Sequence, residues 1–286
     1  MVRKRHPAKI ASVLFYGPEG TGKTLMVQAV QHETKSIVFD LSPAAIQDRY
    51  VGAKSDSDKM VAMVFKAAKA YQPAVIYLDE VDKIWPAKKK KGKGKKGGGK
   101  SSQMNNPQRI KKALTKWRQK WITDDTRITI IGCSNEVHEG SKKDFKKFFD
   151  RAIYFPFPDY TTCCRMWKVF IELKKGWLPA DFPLNTLAHM SVGYSAGSIK
   201  KTVEFVLTPF RKEKLVERPL KLSEFIGPLS QCANTGEEML ENYTTFTDFA
   251  TGDLKRRNEI KAAREGGPEG GDDKGKKKGG KKKKGK

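Results

Sequence analysis

The sequence predicts an α/β domain whose parallel sheet carries helices on both faces, followed by a small all-helical unit and a disordered basic tail. Three observations lead there. Ala11 to Tyr16 is apolar except for Ser12 and is stopped by Gly17-Pro18, as expected of a strand buried on both sides in a parallel sheet. Four more strand-like runs then alternate with stretches of helical period, an order that calls for parallel strands joined by right-handed crossovers. From Pro158 onward the strand signals vanish.

Taken in order, a first helix is expected from Thr24 to His32, with Leu25, Met26, Ala29 and Val30 mainly on one side. Ser36 to Leu41 reads as a second strand, turning at Ser42-Pro43. Ser55 to Tyr71 repeats Met60, Val61, Val64, Phe65 and Ala68 at helical spacing, with Ser55 and Asp58 available to cap its start. Pro73 closes that helix, and Ala74 to Leu78 forms a third strand running into Asp79-Glu80. Pro107 to Trp121 is amphipathic, and Arg127 to Cys133 is a strand rich in β-branched residues. Ala152 to Phe155 is a short strand closed by Pro156 and Pro158. Thr162 to Lys174, Pro183 to Met190, Ser198 to Arg211 and Ser223 to Ser230 read as the helices of the appended unit, and a charged helix is expected near Leu254 to Arg264. The chain thus divides into an α/β core over 1–157, helices over 158–265 and a Gly/Lys tail over 266–286.

The net charge of +25 is not spread evenly. Residues 88–100 hold eight lysines and no acid, and residues 274–286 hold nine lysines and no acid. Removing both leaves 25 − 8 − 9 = +8. Such Gly/Lys segments offer nothing apolar to offset chain entropy, so they read as disordered arms rather than a basic face. No apolar run approaches bilayer length, and the basic start is a poor secretory signal, so an intracellular protein without a membrane span is expected. The four cysteines show neither C-x-x-C nor zinc spacing, and buried free thiols are expected.

Gly17-Pro18-Glu19-Gly20-Thr21-Gly22-Lys23-Thr24 fits G-x-x-x-x-G-K-[ST], with Leu25 following in the helix. Small residues let backbone N–H groups turn inward around phosphates, and the helix presents its positive end to the same charge. Lys23 would reach the terminal phosphates of ATP, and the Thr24 hydroxyl would ligate Mg2+. The strand Val75 to Leu78 delivers two carboxylates to the sheet's carboxyl edge beside this loop. There Asp79 would hold the magnesium shell and Glu80 would polarise the attacking water as general base. Taken alone, a strand ending in two acids also fits an exposed acidic turn; the neighbouring P-loop decides for the functional reading.

These residues, with Ser134-Asn135 ending the fourth strand, resemble the AAA ATPase family of P-loop NTPases over about Val13 to Arg211. The resemblance implies that Asn135 positions water near the γ-phosphate; a turn residue capping the strand is the alternative. It implies a helical lid whose Gly193-Tyr194-Ser195-Ala196-Gly197-Ser198-Ile199 string touches the nucleotide, Gly197 included. Arg49-Tyr50-Val51-Gly52 resembles the aromatic pore loop of ring-forming members, against an ordinary packed loop aromatic. Family rings insert arginines into a neighbour's site, but Lys147-Phe148-Phe149-Asp150 places Phe148 at that position. Losing such a finger costs about 10³ or more in rate, so slow hydrolysis is expected.

The segment with which the family cradles adenine is missing before the P-loop, so the chain reads as a piece of something longer. The lysine insert, the lost finger arginine and the lysine-glycine tail resemble the IQ and AAA domain-containing proteins of the ciliary nexin-dynein regulatory complex, although no IQ motif is present. That implies a nucleotide-gated subunit in the cytoplasm and cytoskeleton, at the axoneme of a cilium or flagellum. A non-hydrolysing scaffold stabilised by ATP and a ring-forming unfoldase or microtubule-severing enzyme are the alternatives. The lysine arms suit other axonemal proteins and the acidic tails of tubulin; nucleic acid and anionic lipid meet the same charge requirement. Nucleic acid is disfavoured because no aromatic-studded groove accompanies the lysines in sequence.

Overall fold

The computed structural model describes residues 10–50, 54–87, 106–123, 125–232 and 237–253, with 256 and 260 beyond them. Five parallel strands, β1 Ser12–Tyr16, β2 Ile37–Asp40, β3 Ala74–Leu78, β4 Ile128–Ser134 and β5 Arg151–Tyr154, form one sheet in the order β2-β3-β4-β1-β5. The central strands are the ones without polar alternation: all five residues of β3 and six of seven in β4 are buried, whereas edge strands β2 and β5 are exposed at alternate or terminal positions. β4 pairs with both β1 and β3, bringing Tyr16 level with Ser134 and Leu78 level with Gly132. The P-loop and the acidic pair therefore leave the same sheet edge, two strands apart, with the end of β4 between them.

Side chains alternate between faces. Leu14, Tyr16, Ile76, Leu78 and Ile130 point to one side, where α2 Lys54–Ala70, α3 Val81–Ile84, α4 Lys111–Trp121 (entered through a 3-10 turn, Pro107–Ile110) and α5 Lys142–Phe148 build the main core. Phe15, Val75, Tyr77, Ile131 and Cys133 point to the other, where Val27 of α1 Lys23–Thr34 covers them. The expected apolar side of this first helix is not the buried one. Val27 packs, whereas Leu25 and Met26 are exposed, because Lys23 must turn inward at the helix start and that fixes the rotation of the whole segment.

The second body consists of α6 Tyr160–Leu173, α7 Leu184–Met190, α8 Ala196–Val206, α9 Pro209–Glu213 and α10 Ser223–Ser230 around Trp167, Ile171, Ile199, Val203 and Phe225. The helix expected over Ser198 to Arg211 is two helices. Pro209 cannot supply the interior N–H and its ring clashes with the preceding turn, so it opens α9 at the first helical position, capped by Thr208.

Three helices were not anticipated, α3, α5 and α11 Glu237–Thr251. The last of them buries Tyr243 and Phe246 in the main core, with the Phe246 ring edge-on to Tyr16 at 4.8 Å. Although it falls in the stretch grouped with the helical unit, α11 packs on the α/β body, since its aromatic stripe matches the aromatic face made by Tyr16, Phe145 and Tyr154. The charged helix near Leu254 to Arg264 lies outside the described residues apart from Arg256 and Ile260, and so do the insert 88–100 and the tail 266–286. All four cysteines are free, Cys133 and Cys163 buried and Cys164 and Cys232 half-buried. Among the described residues no helix is long and apolar enough to cross a membrane.

Candidate functional site

Between β1 and α1 the chain makes the tight turn the sequence implied. Gly17, Gly20 and Gly22 all have positive φ (148°, 76° and 94°), a region closed to most side chains. Gly22 is the N-cap of α1 and has no side-chain cap, so the helix's first N–H groups face the loop. The Thr21 hydroxyl donates to the Pro18 carbonyl at 2.9 Å, tightening the turn from within. Lys23 is 5 % exposed and donates from Nζ to the carbonyls of Gly17 (2.8 Å) and Pro18 (2.6 Å). Burial lowers its pKa to about 8. The carboxylates of Asp79 and Glu19 oppose that shift, while the nearby Cys133 thiol, pushed up by burial to about 12, is uncharged near neutrality.

The acidic pair is held from two sides. Asp79 N–H donates to Ser42 Oγ at 2.9 Å, and Ser42 is in turn bonded to Asp40 at the end of β2. Asp79 Oδ1 accepts the Glu80 N–H at 2.9 Å, and Glu80 sits in the left-handed region at φ 45°, a strained setting for a side chain of its size. Its carboxylate lies 2.6 Å from Lys83 Nζ one helical turn on. At the tip of β4, Ser134 Oγ donates to the buried Asp82 at 2.6 Å; burial raises the Asp82 pKa and this bond partly lowers it. The next residue, Asn135, receives a hydrogen bond on its carbonyl from Tyr243 of α11.

A cavity of about 640 Å³ gathers these parts: Glu19, Gly20, Gly22, Lys23, Thr24, Leu25, Asp79, Asn135 and Gly197 all line it. Glu80 and Pro18 instead line an adjoining space of about 820 Å³ that shares Glu19, Gly20, Asn135 and Gly197 with the first. The two carboxylates thus lie on different sides of the Asn135 position. The helical unit closes the cavity through α8, where Gly197 N–H donates to the Gly20 carbonyl at 2.9 Å. A Cβ on Gly20 would come within 2.5 Å of Ser195 Oγ. Gly20→Ala therefore combines a forbidden φ with a clash against α8. It is expected to lower stability by about 1–3 kcal/mol and to weaken ligand binding at this loop, which thermal melting and a ligand titration would register together.

Residues 13–157 match the model of the ATPase family associated with various cellular activities (AAA). The chain belongs to the AAA family. It is 28% identical over 250 residues to mouse dynein regulatory complex protein 11, covering 86% of this chain and 28% of that protein. It is also 28% identical over 196 residues to spastin of Ixodes scapularis, covering 68% of this chain and 28% of the relative. The chain thus spans less than a third of the length of either relative. Among solved structures, the AAA domain of FIGL-1 in complex with ADP shares the fold, with a TM-score of 0.64 at 19% identity, covering 85% of this chain and 79% of that one. A dynein regulatory complex protein among the relatives agrees with the narrower resemblance drawn from the sequence.

Within the AAA module two expected features stand apart from the cavity. Tyr50 is half exposed at φ 52°, on a loop whose carbonyls at Ile46, Arg49 and Tyr50 accept from the Arg109 guanidinium at 2.7, 2.7 and 3.1 Å; Val51 lies outside the described residues. Phe148 is 3 % exposed with its ring 4.6 Å from Trp85, so this side chain belongs to the core. Sequence reasoning also missed the apolar wall of the cavity, Phe170 and Leu173, and the lysines at its rim, Lys174 and Lys200. The signal for them was faint: an apolar residue left exposed at the end of an otherwise buried helix stripe, as Leu173 is.

Proposed function

We propose that this AAA module binds ATP with magnesium, hydrolyses it slowly, and serves as a nucleotide-gated subunit of an axonemal dynein-regulatory assembly. The observation that supports this best is the convergence of the P-loop, Asp79, Asn135 and Gly197 on one cavity with Lys23 buried beneath it. The left-handed glycines and the uncapped start of α1 are a cradle suited to a triphosphate, and Phe170 and Leu173 offer an apolar wall suited to a base. Thr24 and Asp79 would hold magnesium, an oxygen-ligand set that suits the ion. Among the described residues no group of three or more His, Cys, Asp or Glu could hold a metal alone, consistent with an ion held chiefly by phosphate and water. The bound ion would supply positive charge to the terminal phosphates. Lys23 would meet the same charge, Asn135 would place the water, and Glu80 would draw its proton.

The test is an ATP titration with and without magnesium, followed across pH. Free Lys23 loses its proton near pH 8 rather than at the ordinary 10.5, whereas phosphate beside it favours the charged form. Binding is therefore expected to take up a proton between about pH 8 and 10.5 and little below, so affinity falls as pH rises through that window. Calorimetry in buffers of differing ionisation heat reads the uptake directly. Binding that ignores both magnesium and pH would reject the assignment.

A second reading, an ATP-stabilised scaffold without turnover, is favoured by the Glu80–Lys83 pair, which occupies the proposed general base. Resemblance to a dynein regulatory complex protein supports the axonemal setting, and the lysine-rich segments suit acidic tubulin tails as partners.

A further inference from the structure

The folded body carries a basic strip that neither the cavity nor the lysine-rich segments account for. Helices α2 and α4 lie side by side: Trp117 Nε1 donates to Asp58 Oδ1 at 2.9 Å, and further along both helices Lys69 Nζ sits 4.9 Å from the Trp121 ring centre. α4 has four lysines, one arginine and no acid in 11 residues; α2 adds four lysines against two aspartates. Arg118 turns away to Asp150, and Lys111 pairs with Asp144. The other α4 lysines, Lys112, Lys116 and Lys120, are all exposed and recur every fourth residue, about 6 Å apart along one side of the helix.

We propose that this strip docks an acidic polypeptide segment in extended conformation. Alternate side chains of an extended chain project to one side about 6.7 Å apart, so successive carboxylates at every second residue meet successive lysines of α4. Two of the three ammonium groups are pre-positioned over an aromatic ring: Lys116 and Lys120 lie 5.1 and 5.3 Å from the Trp117 centre. Holding long side chains this way lowers the entropy lost on binding. Lys116 already meets Asp58 at 3.1 Å, so an incoming carboxylate shares that lysine; among the described residues no acid lies within 4.0 Å of Lys112 or Lys120. A single nucleic-acid strand fits less well. Its bases need open aromatic faces, and here lysines already sit over Trp117 and Trp121.

The full chain would be titrated with a short polyglutamate peptide and, separately, with an oligothymidylate of equal charge, following tryptophan emission at physiological salt. The triple variant Lys112→Ala, Lys116→Ala, Lys120→Ala is compared with Lys276→Ala, Lys277→Ala, Lys278→Ala, which removes the same charge from the tail. The expected result is peptide binding weakened about tenfold or more by the first triple and less than about threefold by the second. Because the strip lysines are exposed, unchanged melting of the first variant is expected to accompany that loss. Equal weakening by both triples, tighter binding of the oligothymidylate than of the peptide, or no binding of the peptide by the unaltered chain would each overturn the proposal.

Discussion

Replacing Lys23 by alanine is expected to weaken ATP binding by about a hundredfold, close to 3 kcal/mol, without lowering the stability of the fold. The two halves of that expectation have one cause. Lys23 lies in the loop with its ammonium almost out of water, held by the Gly17 and Pro18 carbonyls. Its folded pKa of about 8 is below the ordinary 10.5, so the protonated side chain works against folding below pH 8, and that cost fades as pH rises toward 10.5. A group arranged to be costly in the free protein and matched by phosphate charge in the complex is a binding group, not a structural one. Melting at or above the parent's temperature at pH 7, beside a lost titration signal, is the expected pair of results. An unchanged ATP affinity would remove Lys23 from the site, and with it the reading of the cavity.

How much of this was visible in the sequence depends on how far apart the contacting residues lie. The P-loop is contiguous, and each of its glycines answers a local backbone need, so its turn and the helix behind it could be read directly. Ala74–Leu78 was legible for a similar reason: a strand buried on both faces leaves an unbroken apolar run. Nothing local marks α11 as part of the α/β body. Its tie to Asn135 spans 108 residues and its Tyr16–Thr247 bond 231, and only the assembled sheet shows that Tyr243 and Phe246 have an aromatic surface to meet. The contact of Gly197 with Gly20 is equally non-local. Phe148 stands where family rings carry an arginine, and in an amphipathic helix of seven residues that position faces Trp85, so its ring joins the core. The Glu80–Lys83 pair could have been suspected, since residues three apart on a helix meet, had α3 been recognised behind the acidic strand.

That pair sets the terms for the second large effect. Glu80→Gln is expected to reduce the steady-state ATPase rate by about 10²–10⁴ with ATP affinity nearly unchanged, because the amide keeps the shape and the backbone setting but cannot accept a proton. Affinity should survive since Glu80 does not line the cavity that holds Lys23, Thr24 and Asp79. In the free chain, however, the Glu80 carboxylate lies 2.6 Å from the Lys83 ammonium, whose pKa is raised chiefly by that hydrogen bond. An attacking water would have to displace that ammonium from the carboxylate, and this adds to the expectation of slow turnover. Lys83→Ala is then expected to raise the rate by about two- to fivefold, provided Glu80 is the base. The double variant separates the causes: if Glu80→Gln abolishes the gain from Lys83→Ala, the lysine acts through the glutamate. Should Glu80→Gln leave the rate untouched, any turnover proceeds without this carboxylate; should the parent chain leave bound ATP intact, the module is better described as a scaffold that ATP holds together.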